Sequence, residues 1–186
     1  MLLKTRSGES PRISASTYVC ESAVITGDVI IGEKVFIAPH ASIRADEPGS
    51  QIIIGEGCNI QDNVIVHALA HSKVIIGDFT SLSHGCIVHG PIRVGKNCFI
   101  GFNSVVFDCS IGDGCFVSHR ALVRGVKIAS RKAVEDGAVV VGQIQADRLE
   151  EVGAEQIEFA SSVVSTNIML ADSYQLIRKQ GRHSHG

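Results

Sequence analysis

A six-residue repeat of apolar residues runs through most of this chain, and it constrains the fold more than any other feature. A hexapeptide period is typical of a parallel β-helix, in which each hexad supplies one short strand and one corner. Three hexads close a triangular coil, and stacked coils bury a continuous apolar column. The repeated positions are Ile13, Val19, Ile25, Ile31, Ile37, Ile43, Ile54, Ile60, Val66, Ile76, Leu82, Val88, Val94, Ile100, Val106, Ile111, Val117, Val123, Ile128, Val134 and Val140.

Successive repeated positions define three walls, which we call faces A, B and C, beginning with Ile13 on face A. The count predicts a β-helix domain of about seven coils over residues 1–142. The step is too long in two places, which predicts loops near 46–51 and 69–73. Glycines such as Gly77 and Gly95 directly follow repeated positions, and we interpret them as turn residues.

Most of the cysteines fall into the repeat. The residue four places after a repeated position should also point inward, into a tighter space, and is mostly small. A thiol in this slot acts as a small apolar group rather than as a disulfide partner, which favours a reduced, cytoplasmic protein. The pattern leaves Cys20 and Cys109 unassigned, and the cysteines in the slot are Cys58, Cys86, Cys98 and Cys115.

The repeat stops after Gly142. Residues 143–180 are predicted as a C-terminal helical segment packed on the solenoid or on a neighbouring subunit, with a helix over 147–180. The reason is that apolar residues there recur close to every 3.6 positions. We expect residues 181–186 to form a disordered tail.

Composition excludes several classes of partner. The formal net charge is −2, so neither a nucleic acid nor an anionic membrane is implied. No apolar run reaches transmembrane length, and the first residues lack the apolar core of a signal peptide. These features also favour the cytoplasm.

Two histidines occupy the same phase of the repeat. His67 follows Val66 and His89 follows Val88, so each takes the first outward position of face C, in coils three and four. They should stack one coil apart, about 4.8 Å. Two imidazoles at that spacing can bind one ion, since Zn–N bonds are about 2.0–2.1 Å.

A third histidine can join them only from another subunit. His84 lies two places after Leu82 on face B, so it points away from a different wall. A symmetric trimer in which face C of one subunit meets face B of the next would complete a site of three histidines at each subunit boundary. The alternative is that all three are ordinary surface histidines.

Other polar residues share these walls. Arg44 should lie directly beneath His67, and its alternative role is a salt bridge between subunits with Asp46. Hydrogen bonds at the coil corners are the alternative for Gln61 and Asn59. The polar set is Arg44, Asp46, Glu47, Asn59, Gln61 and Asp62.

Several segments resemble the γ-class carbonic anhydrases, a family of trimeric left-handed β-helices that includes carboxysome-associated members. The matching segments cover nearly the whole chain in the right order, and the pair of motifs N-x-Q-D-x4-H and H-x4-H is the most specific. They are SIRADE (42–47), CNIQDNVIVHAL (58–69), SLSHGCIVHGP (81–91), FIGFNSVVF (99–107), ADRLEEV (146–152) and VSTNIMLADSY (164–174).

The resemblance implies a function as well as a fold. It implies that His67 and His89 of one subunit, with His84 of its neighbour, hold Zn²⁺, or Fe²⁺ or Co²⁺ under some conditions. A metal with three neutral imidazole ligands keeps an open position for water, whose pKa falls towards neutrality, so that it can attack CO₂ and form bicarbonate. The remaining implied roles are a proton-handling acid for Glu47, orientation of the metal-bound solvent or bicarbonate for Gln61 and Asn167, an interface pair for Arg44 and Asp46, and support of the metal ligands for Asn59 and Asp62.

One departure from the family bears on turnover. Several members carry a longer acidic loop after the first metal histidine, whereas this chain has Ala70 where an acid is expected. His71 is titratable near neutral pH and could substitute. Two alternatives to a fast hydratase therefore remain: a catalytically weak or inactive assembly protein, and a hexapeptide-repeat acyltransferase that uses His84 as a base.

Overall fold

The computed structural model describes residues 1–183 and consists of a left-handed parallel β-helix of about 7 turns followed by two helices. All named strands pair in parallel with the strand one coil away. Face A contains β2 (Arg12–Ile13), β5 (Val29–Ile31), β8 (Gln51–Ile54), β11 (Lys73–Ile76) and β18 (Lys127–Ile128). Face B contains β3 (Tyr18–Val19), β6 (Phe36–Ile37), β9 (Asn59–Ile60), β12 (Ser81–Leu82), β14 (Phe99–Ile100), β16 (Phe116–Val117) and β19 (Ala133–Val134).

Face C is joined to face A by two long strands. It contains β1 (Leu2–Leu3), β4 (Val24–Gly27), β7 (Ser42–Ala45), β10 (Ile65–His67), β17 (Leu122–Arg124) and β20 (Val139–Val140). Strands β13 (Ile87–Val94) and β15 (Val105–Ile111) continue around the corner from face C to face A. The two predicted loops are confirmed, since they leave the solenoid between β7 and β8 and between β10 and β11.

The repeated positions form the core. From Ile25 to Val140 every repeated residue is at most 3% exposed, while Ile13 and Val19 at the open end are half-buried. Full burial of such a side chain stabilises the fold by roughly 1.5–3 kcal/mol. The predicted apolar column is therefore confirmed.

The small inward slot has a second role that the repeat did not predict. Its thiols and hydroxyls donate to backbone carbonyls of the next coil: Cys58 Sγ to Gly77 O at 3.1 Å, and Thr80 Oγ1 to Gly95 O at 2.8 Å. Burial raises the pKa of the Cys58 thiol to about 12. All six cysteines are free.

The glycines that follow repeated positions are not turn residues in the sense expected. Gly77 does not have a positive φ; instead, a Cβ added to it would lie 2.6 Å from the backbone carbon of Gly95. The positive-φ position comes two residues later, where Phe79 and Asn97 have φ 56° and 53°. Close approach of adjacent coils, rather than backbone conformation, therefore selects glycine here.

Both ends of the solenoid are covered. Strand β1 pairs with β4 at the first coil, through Leu2 with Ile25. At the other end lies α1 (Gln143–Asp147), which buries Ala146 against the last coil. Capping of this kind protects the exposed strand edges of a solenoid.

The C-terminal segment is interrupted where one helix was expected over 147–180. The chain leaves α1 at Arg148, and Glu151 forms an antiparallel bridge with Lys132. The long helix α2 (Ala154–His183) begins after Gly153 and packs on face B. Residues 184–186 of the expected tail lie outside the described residues. Neither helix of the described part combines the length and apolarity needed to cross a bilayer.

Candidate metal centre

His67 and His89 stack on consecutive coils of face C, as the repeat predicts. In β10 and β13 the two residues are direct register partners, and Arg44 is the partner of His67 on the coil below. Alternation along each strand points these side chains outward, because the residue before each one is buried in the core.

One nitrogen of the His67 ring and one nitrogen of the His89 ring lie at hydrogen-bond distance from each other. Nδ1 of His67 lies 3.1 Å from Nε2 of His89, and the ring planes are inclined by 67°. Two ligands of a tetrahedral zinc ion with bonds of about 2.0–2.1 Å are separated by roughly 3.3 Å. The observed nitrogen separation is therefore close to what a shared metal ion requires.

Two carboxylates lie on the far side of the His67 ring. His67 Nε2 is 3.4 Å from Glu47 Oε1 and 3.5 Å from Asp46 Oδ1. This nitrogen is buried and has no aligned hydrogen-bond partner. Asp46 also accepts from Arg44 Nε at 3.0 Å, so this ion pair forms within one chain. We call Asp46, Glu47, His67 and His89 the wall half-site.

The two inserted loops meet at Glu47. The Ala70 N–H donates to the Glu47 carboxylate at 2.7 Å, and the His71 N–H donates to Pro48 O at 2.9 Å. The His71 ring lies over Gly49. The backbone of the second loop thus orients the Glu47 carboxylate, although the loop contributes no acid of its own at Ala70.

His84 lies at the corner between faces B and C. Its Nδ1 is 2.9 Å from Asp62 Oδ2, and the side chain is 55% exposed. A carboxylate on Nδ1 fixes the tautomer and leaves Nε2 as the available ligand atom. The His84 ring is therefore accessible at this corner of its own chain.

An open cavity of about 540 Å³ beside His84 contains the remaining predicted residues. Its lining includes Gln61, Asp62 and Asn167 of α2. Asn167 Nδ2 donates to Val163 O at 2.8 Å, whereas Gln61 Oε1 is buried without a partner. We call Gln61, Asp62, His84 and Asn167 the corner half-site.

Asn59 lies in face B instead. It is fully buried, and its Nδ2 donates to Ser81 Oγ at 2.9 Å, one coil away. Its Oδ1 has no partner among the described residues. This contact joins two strands within face B, whereas the alternative role expected for Asn59 was a hydrogen bond at a coil corner.

Sequence reasoning missed two phenylalanines that pack on the histidines. Phe107 is the register partner of His89 on the next coil, with ring centroids 5.1 Å apart in an edge-to-face arrangement. Phe102 packs on His84 at 5.4 Å. Both could have been found from phase, since each lies eighteen residues after its histidine, or about three hexads.

The two half-sites do not meet within one chain. Among the side chains that the structure describes, no three of His, Cys, Asp or Glu form a group that could hold a metal ion. The wall half-site therefore presents two histidines, and the corner half-site presents the third.

Comparisons with known proteins show which proteins this chain is similar to. No family model matches the chain. It is 41% identical over 180 residues to the carboxysome assembly protein CcmM of Nostoc sp.. This alignment covers 91% of this chain but only 32% of the Nostoc protein. It is 34% identical over 187 residues to a carbonic anhydrase of Methanosarcina thermophila, covering 89% of this chain and 75% of that enzyme.

The structural comparison identifies the broader class first. A putative acetyltransferase of Bacillus cereus superposes with a TM-score of 0.79 at 25% identity, covering 95% of this chain and 97% of that one. The fold is thus the hexapeptide-repeat β-helix, which also occurs in transferases. Within that class, the chain belongs to the γ-class carbonic anhydrase family.

Proposed function

We propose that this chain is a zinc-dependent carbonic anhydrase that interconverts CO₂ and bicarbonate at sites shared between the subunits of a homotrimer. The observation that carries the proposal is the pair of nitrogens of His67 and His89, 3.1 Å apart on consecutive coils. Family membership adds the expectation of the reaction.

An apolar column beside the histidines supports the trimer. One residue before each repeated position on face C, an aliphatic side chain points outward on five successive coils. The end residues Ile65 and Val139 are 43% and 54% exposed. A continuous apolar column on an outer wall favours burial against another subunit. Its members, joined by strand register, are Ile65, Ile87, Val105, Leu122 and Val139.

The donor set fits the ion. Three imidazoles suit Zn²⁺, with Fe²⁺ or Co²⁺ as alternatives, and they leave a position open. A zinc ion held there would supply a water molecule that ionises near neutral pH, which is the nucleophile that CO₂ hydration needs.

The polar residues of the chain orient the metal ligands, accept the proton and bind the solvent or bicarbonate. Asp62 orients His84 through Nδ1, and Arg44 orients Asp46 beside His67. Glu47, held by the Ala70 N–H, is positioned to accept a proton close to His67 and to pass it to solvent. From the corner, Gln61 and Asn167 would orient the metal-bound solvent or bicarbonate, with Gln61 Oε1 accepting a hydrogen bond and the Asn167 Nδ2 donating one.

A weakly active assembly protein is the second candidate. The chain spans about a third of the length of the Nostoc relative, whose name denotes assembly. Ala70 also removes an acid expected in the proton path. This candidate keeps the trimer and the metal but predicts little turnover.

An acyltransferase is less well supported. The structural likeness to a putative acetyltransferase is at 25% identity, and a general base requires one histidine rather than a converging pair. Retention of acetyl transfer from acetyl coenzyme A in a metal-free protein would favour it.

Metal analysis and stopped-flow CO₂ hydration test the proposal. We expect roughly one divalent ion per chain in the trimer. Separate His67→Ala, His84→Ala and His89→Ala variants should each lose both metal and activity. His40→Asn is the matched control, since His40 is exposed at φ 60°, where asparagine is tolerated. Full metal content and full activity in the His84 and His89 variants would refute the mechanism, whereas metal without turnover in the unaltered protein would favour the assembly role.

A further inference from the structure

Two columns of outward side chains run along the solenoid, and each contains part of the proposed site. On face C, strand register aligns the wall column; at the corner between faces B and C, the residues two places after the repeated positions form the corner column. The wall column is Arg44, His67, His89, Phe107 and Arg124. The corner column is Asp62, His84, Phe102, His119 and Asp136.

The shared site determines how the columns of two subunits are offset. His84 must lie between His67 and His89 of the neighbour, so a corner residue of coil four faces the gap between coils three and four of the wall. Coils repeat at about 4.8 Å in both subunits. When the solenoid axes are parallel to the threefold axis, the same offset holds along the whole boundary. A corner residue on a given coil therefore faces, on the neighbour's wall, the gap between the coil of the same number and the coil before it.

At this offset, two residues of opposite charge face each other across the subunit boundary, three coils above the predicted metal ligands. Asp136 is on coil seven of the corner, and Arg124 is on coil six of the wall. Both side chains are exposed, and neither has an ion-pair partner among the side chains that the structure describes. The His119 N–H donates to Asp136 Oδ1 at 2.8 Å, which holds this carboxylate at the corner and leaves Oδ2 free.

We propose that Arg124 of one subunit forms an ion pair with Asp136 of the next, and that this pair fixes the height and tilt at which His84 is presented to His67 and His89. The proposal rests on the proposed trimer with shared sites. Phe102, Phe107 and His119 fall between the site and the ion pair, and the His119 ring stacks on Phe102 with the ring centroids 4.3 Å apart. Because the pair lies about 14 Å above the site, both can form together only when the two solenoids are parallel. Arg124 and Asp136 are thus positioning residues and do not touch substrate.

Charge reversal tests the pair. Arg124→Asp and Asp136→Arg each place like charges at all three seams of a trimer, and we expect about a tenfold rise in the trimer dissociation constant at low salt, with weaker zinc retention. The double variant, which reverses both charges, should recover most of the trimer and most of the zinc. Lys127→Asp on face A is the control for net charge and should resemble the unaltered protein.

Sedimentation velocity, zinc content and circular dichroism give separable readouts. If a reversal variant fails to fold, Arg124→Ala and Asp136→Asn with their double variant provide the same coupling from a double-mutant cycle. A zinc-bound trimer with additive effects and no recovery would overturn the ion pair alone. An unaltered protein that is monomeric and binds no zinc would overturn the proposed function and the ion pair with it.

Discussion

A mixing experiment tests the division of the site between subunits. His84→Ala removes the corner ligand and keeps the wall half-site, whereas His89→Ala does the opposite. Each variant alone should lack zinc at every seam. In a mixed ring, however, a seam between an intact wall and an intact corner regains all three ligands.

The size of the recovery follows from the threefold ring. When equal amounts of the two variants assemble at random, about three quarters of the trimers contain both variants. Each mixed trimer has one subunit boundary at which an intact His67 and His89 meet an intact His84 of the neighbour. We therefore expect about a quarter of the zinc content and CO₂ hydration of the unaltered protein, measured per chain after unfolding and refolding the two variants together.

The grouping of the histidines supplies the control. His67 and His89 belong to the same half-site, so no mixture of His67→Ala with His89→Ala can restore a seam. Recovery in that control, or none in the first mixture despite mixed trimers by mass spectrometry, would refute the assignment of His84 to the neighbouring subunit.

Two predictions concern the solenoid itself. Gly77→Ala should lower the free energy of unfolding, measured by urea titration, by about 1–3 kcal/mol, because the added methyl meets the backbone of Gly95. Gly142→Ala is the control and should change the free energy of unfolding little, because the nearest contact of its added methyl would be Gln145 Oε1 at 3.5 Å. The hydrogen bond from Lys96 lowers the pKa of Asp78 in the folded protein. The stabilisation that ionised Asp78 gives the fold is therefore fully present above the pKa that Asp78 has in the unfolded chain, and it is lost as pH falls through the pKa of Asp78 in the folded protein. Asp78→Asn should accordingly make stability fall less steeply in acid, by a small amount because the pair is at the surface.

Each of these has a clear contrary result. Equal unfolding midpoints for the two glycine variants would show that close approach of the coils does not select glycine at Gly77. An Asp78→Asn variant with the same acid slope as the unaltered protein would show that the ion pair with Lys96 contributes nothing to the pH dependence.

Much of the wall half-site could be predicted from the sequence. A constant hexad period makes the phase of each residue countable, so the stacking of Arg44, His67 and His89 followed from arithmetic alone. The contact of Glu47 with the Ala70 N–H did not, because the two inserted loops lie outside the repeat and their pairing depends on how the coils bring them together.

The corner half-site was harder to predict from the sequence than the wall half-site. Asn167 lies more than a hundred residues from Gln61, and only the docking of α2 on face B brings them to one cavity. The break between α1 and α2 was also missed, since a 3.6-residue pattern does not reveal that Glu151 pairs with Lys132.

The sequence by itself determined the coil, the inward column and the phase of the histidines, because these depend on a local period that holds along the chain. Tertiary structure alone decided where α2 lies, which carboxylates approach His67, and which glycines adjacent coils require. Those features arise from contacts between segments far apart in sequence, and no local pattern encodes the distance between them.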